Sequence, residues 1–282
     1  MNMNRNLHTF IGCDSEYEDS DIVLFGAPFD GTTSYRPGTR FASAAIRNES
    51  YGIETYSPYL DLDLTDLAIF DAGDLELCFG NTERVLEDIE NMTASILEDN
   101  KIPCMIGGEH LVTLGSFRAV AKRYPEVHII HFDAHTDLRE DYLGEKLSHA
   151  SVIRRCWELI GDGRIFQFGI RSGDREEFIW AKDHVTMQKF NFDHLDEAVK
   201  ALKDKPVYLT IDLDVLDPSV FPGTGTPEAG GVTYFELTKA LTQVLGLNIV
   251  AVDMNELSPV YDQSGASTAL ACKLLREILL QI

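Results

Sequence analysis

A doubly wound α/β domain with a mostly parallel sheet is the fold this sequence predicts, on three observations. Short β-branched, apolar runs of strand length alternate with segments whose apolar residues recur at helical spacing. Three of those runs end in acids and histidines, at the carboxyl ends where open parallel sheets gather their ligand crevice. No low-complexity linker or solenoid-type repeat interrupts the 282 residues, so one domain spanning 1–282 is expected.

Residues 1–20 are polar and acidic and are expected to form a surface arm. The first strand covers 21–27 and is stopped by Pro28. The segment 30–40 is too rich in Gly, Pro and hydroxyls for regular structure, and long enough to be a functional loop. A helix from about Ala42 carries Ala44, Ala45, Ile46 and Arg47. A short strand at 67–70 is followed by 71–74 as its turn. The helix at 82–99 is read from Val85, Leu86, Ile89, Met92, Ile96 and Leu97 at helical spacing, a core face.

The alternation continues with a strand at 103–106, a helix at 112–122 and a strand at 127–132. A polar loop, 138–148, leads to a helix at 149–159; then come strand 164–169, helix 176–181, strand 184–187, helix 192–202 and strand 207–211. Thr233 and Glu236 have capping-box spacing and open a helix to about Leu245. Strand 249–252 delivers Asp253 and Glu256, and a final helix from about Asp262 runs through Leu270, Leu274, Leu275 and Ile278.

Composition narrows the function. A hydrophobic fraction of 44% supports a sizeable core. With 24 Lys and Arg against 46 Asp and Glu, the formal charge of −22 repels phosphate backbones and anionic lipid, which argues against nucleic-acid and membrane partners. The acidity reads as a soluble surface, or as steering of a cationic substrate. Five scattered cysteines without a C-x-x-C pair read as reduced packing residues, and no apolar run of about 18 residues occurs, so a cytoplasmic, unexported chain is expected.

The chemistry lies at the strand ends. The run 127–137 places Asp133, His135 and Asp137 at alternate positions; a second strand ends in Asp212 and Asp214, and a third leads to Gly107, Gly108, Glu109 and His110. Several carboxylates converging in a crevice require cations, because desolvating like charges together is costly. Two imidazoles and four carboxylates without a thiolate suit Mn(II), with Zn(II), Co(II) and Fe(II) as competitors. Six ligands exceed what one catalytic ion usually takes, which points to a two-metal site. His131 inside its strand reads as a satisfied core residue, His8, His128, His184 and His194 as structural or exposed, and Asp217 and Arg171 as turn and packing residues.

These motifs, in this order, resemble the ureohydrolase (arginase/agmatinase) family: 107–110, 132–137, 210–218 and the loop from Phe221 through Gly231. Within it, 34–41, 45–47 and 147–150 are most similar to agmatinases, whereas Leu111, Asn255 and Ser258 depart from the commoner pattern. The resemblance covers nearly the whole chain. It implies a three-layer α/β/α sandwich around a sheet of about eight strands, a homo-oligomer (trimer or hexamer) and two Mn²⁺ per chain. By position, His110 and Asp137 would ligate one metal, His135 and Asp214 the other, and Asp133 and Asp212 would bridge. Asp137 would also hold the nucleophilic hydroxide, His149 would protonate the leaving amine, having an ordinary pKa near working pH, and Glu256 would pair with the substrate guanidinium.

The function so implied is hydrolysis of agmatine to putrescine and urea, a polyamine-forming reaction. Alternatives are another guanidino or formimino substrate (guanidinobutyrate, arginine, formiminoglutamate) and a catalytically silent metal-binding protein on the same fold. Lys146 is the one cation in the stretch 143–148 and could receive a substrate carboxylate if it faced the site.

Overall fold

The structure, a computed structural model, describes residues 8–282. In chain order the elements are β1 (Ile22–Gly26), α1 (Ala42–Ser50), β2 (Tyr56–Ser57), β3 (Leu62–Asp63), β4 (Ile69–Asp74), α2 (Thr82–Glu98), β5 (Ile102–Ile106), α3 (Val112–Arg123) and β6 (His128–Phe132). They continue with α4 (Val152–Ile160), β7 (Ile165–Ile170), α5 (Arg175–His184), β8 (Thr186–Lys189), α6 (Leu195–Ala201), β9 (Pro206–Asp212), α7 (Tyr234–Val244), β10 (Asn248–Asn255) and α8 (Ala266–Leu279).

Among the described residues, eight strands form one sheet in the order β4-β1-β5-β10-β9-β6-β7-β8, and its pairings are parallel. β2 and β3 make a small antiparallel pair outside it. One face carries a core that includes Ile46, Leu209, Leu241 and Leu275, under α1, α6, α7 and α8. The other includes Leu86, Ile89, Phe117, Ile129 and Tyr208, under α2, α3, α4 and α5. This is the three-layer sandwich expected. The capping box expected at Thr233 and Glu236 closes at α7, and Asn81 caps α2 by accepting the Arg84 N–H at 3.1 Å.

The topology positions the site. Between β5 and β6 the chain crosses the sheet, and β9 and β10 later fill the gap, so β5, β10, β9 and β6 lie side by side. Their carboxyl ends border the reversal of strand order, where doubly wound sheets bind ligands.

Several expectations are corrected. The first seven residues of the expected surface arm lie outside the described residues; the rest is packed against the sheet. Phe10 and Cys13 are fully buried, Tyr17 is buried, the Phe10 N–H donates to Asp71 Oδ2 at 2.8 Å, and Asp14 bridges to Phe70. Three spaced apolar anchors in a polar segment do this. The expected turn at 71–74 is the second half of β4, because Arg47 from α1 supplies the charge that lets Asp71 stay inside. β10 runs three residues beyond the expected end, with Asp253 satisfied within it by Tyr208, Thr210 and Asn255. α8 starts at Ala266, since the Asp262 side chain accepts the Ser267 N–H at 2.7 Å and turns the chain first.

Candidate metal centre and cleft

After β5 the chain turns through Gly107 and Gly108, and a Cβ on Gly108 would lie 1.9 Å from the Phe29 carbonyl oxygen. Only glycine permits that approach, which carries His110 inward. The His110 Nε2 lies 2.9 Å from Thr210 Oγ1, whose own proton goes to Asp253 Oδ1 at 2.6 Å. Thr210 therefore accepts, Nε2 holds the proton, and Nδ1 is the bare nitrogen. That Nδ1 is buried without a hydrogen-bond partner and faces Asp133 Oδ2 at 3.1 Å, Asp137 Oδ2 at 3.0 Å and Asp212 Oδ2 at 3.3 Å. A lone pair against three carboxylates is repulsive unless a cation lies between them.

The end of β6 supplies the second half. Asp133 Oδ1 accepts the His135 N–H at 2.5 Å and lies 3.5 Å from His135 Nδ1, so this carboxylate turns one oxygen toward each histidine. His135 Nδ1 also stands 3.0 Å from Asp214 Oδ2. From β9, Asp212 Oδ1 accepts the Asp214 N–H at 2.8 Å, and Asp214 takes the Ala134 N–H and the Thr226 hydroxyl, both at 3.2 Å. Asp137 (φ 51°) and Glu256 (φ 66°) are both left-handed, a backbone state that costs non-glycine residues energy and gathers at working sites. Glu256, just beyond β10, accepts the His110 N–H at 2.7 Å and donates its own N–H to the Gly108 carbonyl at 2.9 Å. The six expected ligands and Glu256 thus converge in space.

Among the described residues, the ion pairs of these four ligand carboxylates involve only histidine. The electrostatics carry that cost. Burial, then the Asp133 charge, lift Asp137 to about 7. Burial, then Asp214 and Asp133, raise Asp212 well above the carboxylate range, and burial raises Glu256 despite its N–H bond. Burial alone would lower His110; Asp133, Asp137 and Asp212 outweigh it and raise it. A cluster holding protons in this way exchanges them for metal, and the orphaned Nδ1 with oxygen donors around it fits divalent cations.

His131 is the satisfied core histidine expected, though its partner is a ligand. Gln167 Nε2 donates to its Nδ1 at 3.0 Å, so its Nε2–H donates to Asp133 Oδ2 at 2.8 Å. With both nitrogens taken, it orients Asp133 and is no ligand itself. Arg171 and Asp217 are packing and turn residues, bonded to carbonyls and to loop N–H groups respectively.

His149 opens a short turn ahead of α4 and lines the cleft over the cluster. Its N–H donates to Thr32 Oγ1 at 3.1 Å, and its Nε2 lies 3.3 Å from Ser34 Oγ. The ordinary pKa expected for it is corrected: burial pushes it down to about 4, with a Thr32 backbone contact opposing and the site histidines assisting. The cleft, about 230 Å³, is lined by His135, Asp137, Asp212 and Glu256 and, toward its rim, by Arg139, Tyr142, Asp174 and Glu177. Lys146 is exposed and is not part of the lining. Arg139 is, and it is already paired with Asp174 at 2.5 Å and stacked on Tyr142. Sequence reasoning gave no site role to Arg139, Thr210, Asp253 or Glu109, although Asp253 follows the strand that delivers Glu256, and Thr210 and Glu109 sit inside the 210–218 and 107–110 runs.

Fold and site together define a family. The arginase family model matches residues 20–281, and the chain belongs to that family, whose hydrolases act on guanidino C–N bonds. Among individual proteins, it is 50% identical to the agmatinase of Bacillus subtilis over 96% of this chain and 95% of that one. A solved Clostridium difficile structure, provisionally assigned as an agmatinase, shares 56% identity with a TM-score of 0.93, covering 95% of this chain and 98% of that one. The agmatine ureohydrolase of Thermoplasma volcanium shares 35% identity and a TM-score of 0.88, over 98% and 94% of the two chains.

Proposed function

We propose that this protein hydrolyses agmatine to putrescine and urea with two Mn²⁺ per chain, in a polyamine-forming step of the cytoplasm, as a homo-oligomer. The observation that carries the substrate choice is the cleft lining. With Asp137 and Asp212 committed to the cations, Glu177 and Glu256 remain as acids of the lining, against one guanidinium, Arg139, which Asp174 already neutralises. A ligand with two cationic ends and no carboxylate suits such a lining, and an anionic tail does not.

His110 and Asp137 would hold one cation, His135 and Asp214 the other, with Asp133 and Asp212 shared between them. When bound, such a pair supplies an acidified water as nucleophile and offsets the carboxylate charge. Glu256, anchored by the His110 N–H, orients the substrate guanidinium by a charge-assisted hydrogen bond. Asp137 accepts a hydrogen bond from the attacking water. His149, kept neutral at rest by burial, takes a proton at Nε2 from the attacking water and passes it to the amine nitrogen as its bond to the guanidinium carbon breaks.

Agmatine and arginine compared on Mn(II)-loaded enzyme test this. A ratio of catalytic efficiencies above about a hundred is expected, which asks for about 2.7 kcal/mol of transition-state discrimination. Comparable efficiencies would reject agmatine while leaving the ureohydrolase standing, and no urea from any guanidino compound would favour the silent metal-binding alternative.

A further inference from the structure

The loop at 30–40 was singled out as functional, and the proposed reaction leaves it without a task. Its Thr32 reaches Glu109, a carboxylate next to His110 that ligates nothing and is fully buried. Glu109 accepts the Thr32 N–H at 2.8 Å, the Thr32 hydroxyl in a very short hydrogen bond, and the Thr33 hydroxyl at 3.1 Å. Its own N–H is fixed to the Phe29 carbonyl at 2.7 Å. Thr32 Oγ1 has a single proton and takes the His149 N–H on a lone pair, so its own O–H points at Glu109 Oε1. The oxygen's lone pairs are then turned away, and one of them receives the His149 N–H at 3.1 Å.

We infer that Glu109 and Thr32 are positioning residues for His149. Glu109 fixes the direction of the Thr32 hydroxyl, and that hydroxyl fixes the first residue of the turn carrying the imidazole, while Ser34 touches the ring at Nε2. The corner 107–110 thereby serves three groups at once: His110 in the cluster, Glu256 through the His110 N–H, and His149 through Glu109 and Thr32. This rests on reading His149 as the proton shuttle. Thr32 has no hydrogen bond to a ligand and is not itself part of the cleft lining; the lining residue it bonds is His149, so its effect on the reaction is expected to pass through that residue.

The test is a double-mutant cycle on the Mn(II)-loaded enzyme with agmatine. Thr32→Val, which keeps shape and loses the hydroxyl, is expected to lower kcat about tenfold to a hundredfold, with KM changed by less than about threefold. Thr32→Ser should stay near wild type. Manganese content by elemental analysis should not change, and in a His149→Ala background Thr32→Val should have no further effect on kcat. Thr32→Ala serves as the second variant if the valine perturbs folding. The inference is overturned if Thr32→Val keeps wild-type kcat, if serine is as damaging as valine, if manganese is lost, or if the double variant falls further. Full kcat in His149→Ala alone would overturn the reading of His149 itself.

Discussion

At the β4 edge of the sheet, Asp71 and Asp74 meet the guanidinium of Arg47; at the carboxyl ends of β6 and β9, Asp133, Asp137, Asp212 and Asp214 meet imidazoles alone. Asp71, Arg47 and the four cluster carboxylates are buried, whereas Asp74 stands partly in water. Arg47 chelates Asp71 through Nε at 2.8 Å and Nη2 at 2.9 Å, and reaches Asp74 with Nη1. That pair is complete as folded. Among the described residues the ligand cluster has no such cation, and Asp137 and Asp212 are raised instead. Where the chain supplies the counter-charge, a buried acid serves the fold; where it withholds it, the acid serves a ligand.

Removing one charge from the cluster should break the comparison most sharply, because activity and stability should move in opposite directions. Asp212→Asn is expected to lower kcat about a thousandfold or more, since a shared ligand is lost. The same change should stabilise the metal-free chain at pH 7 by about 1 kcal/mol or more. The sign follows from the direction of the shift. An acid whose folded pKa is raised costs stability once pH exceeds its unfolded value near 4, and asparagine removes that cost. Urea melts in chelator at pH 4 to 8 measure it; a destabilised metal-free variant would mean that the cluster holds the fold together.

Arg47→Met probes the other region. It leaves Asp71 buried without its partner, which costs about 3–5 kcal/mol. Manganese per folded chain should stay at the wild-type level, since no ligand touches Arg47. Adding Asp71→Asn should recover part of the loss. If the single variant is as stable as wild type, the pair is not what lets β4 run through Asp71.

These two regions were unequally legible in the sequence. The ligand set could be read because its acids and histidines crowd just past strand ends; β6 itself stops at Phe132, and the turn that follows, with Asp137 left-handed, brings Asp133, His135 and Asp137 together. The Arg47–Asp71 pair spans 24 residues and two elements, and Asp71 beside Ala72 and Gly73 looked like turn chemistry. Polar composition hid the burial of Phe10 and Cys13 for the same reason: contacts across the chain outweighed local character. His149 was found by its place in a motif, but its lowered pKa comes from walls that only the fold assembles.

A subtler test lies between the regions, at His131, which satisfies one ligand carboxylate without carrying a full charge. His131→Phe keeps the buried volume approximately and removes the proton given to Asp133 Oδ2. Outer partners of metal ligands typically contribute about ten- to a hundredfold in affinity, so Mn(II) titration of the metal-free variant should show a loss of that size. Unchanged affinity would reduce His131 to packing.

The smallest effect is expected where a carboxylate needs neither arginine nor metal. Asp262 ahead of α8 is satisfied by the Ser264 N–H at 3.0 Å, the Ser264 hydroxyl at 2.6 Å, and the Ser267 N–H and hydroxyl, both at 2.7 Å. It is partly open to water, so its charge is never stranded, and those bonds, the Ser264 and Ser267 side chains first, hold its pKa down to about 2. Asp262→Ala should cost about 1 kcal/mol, the usual loss of a helix-start cap. Because the folded pKa is depressed, the contribution is whole above the unfolded value near 4 and fades as pH falls toward 2. Urea melts of wild type and variant at pH 7, 5, 4 and 3 should show a gap that is constant from pH 7 to 5 and closes from pH 4 to 3. A gap that stays constant down to pH 3 would mean that the protonated carboxyl caps as well as the charged one, and that the helix start, unlike the ligand cluster and the Arg47 pair, is indifferent to charge.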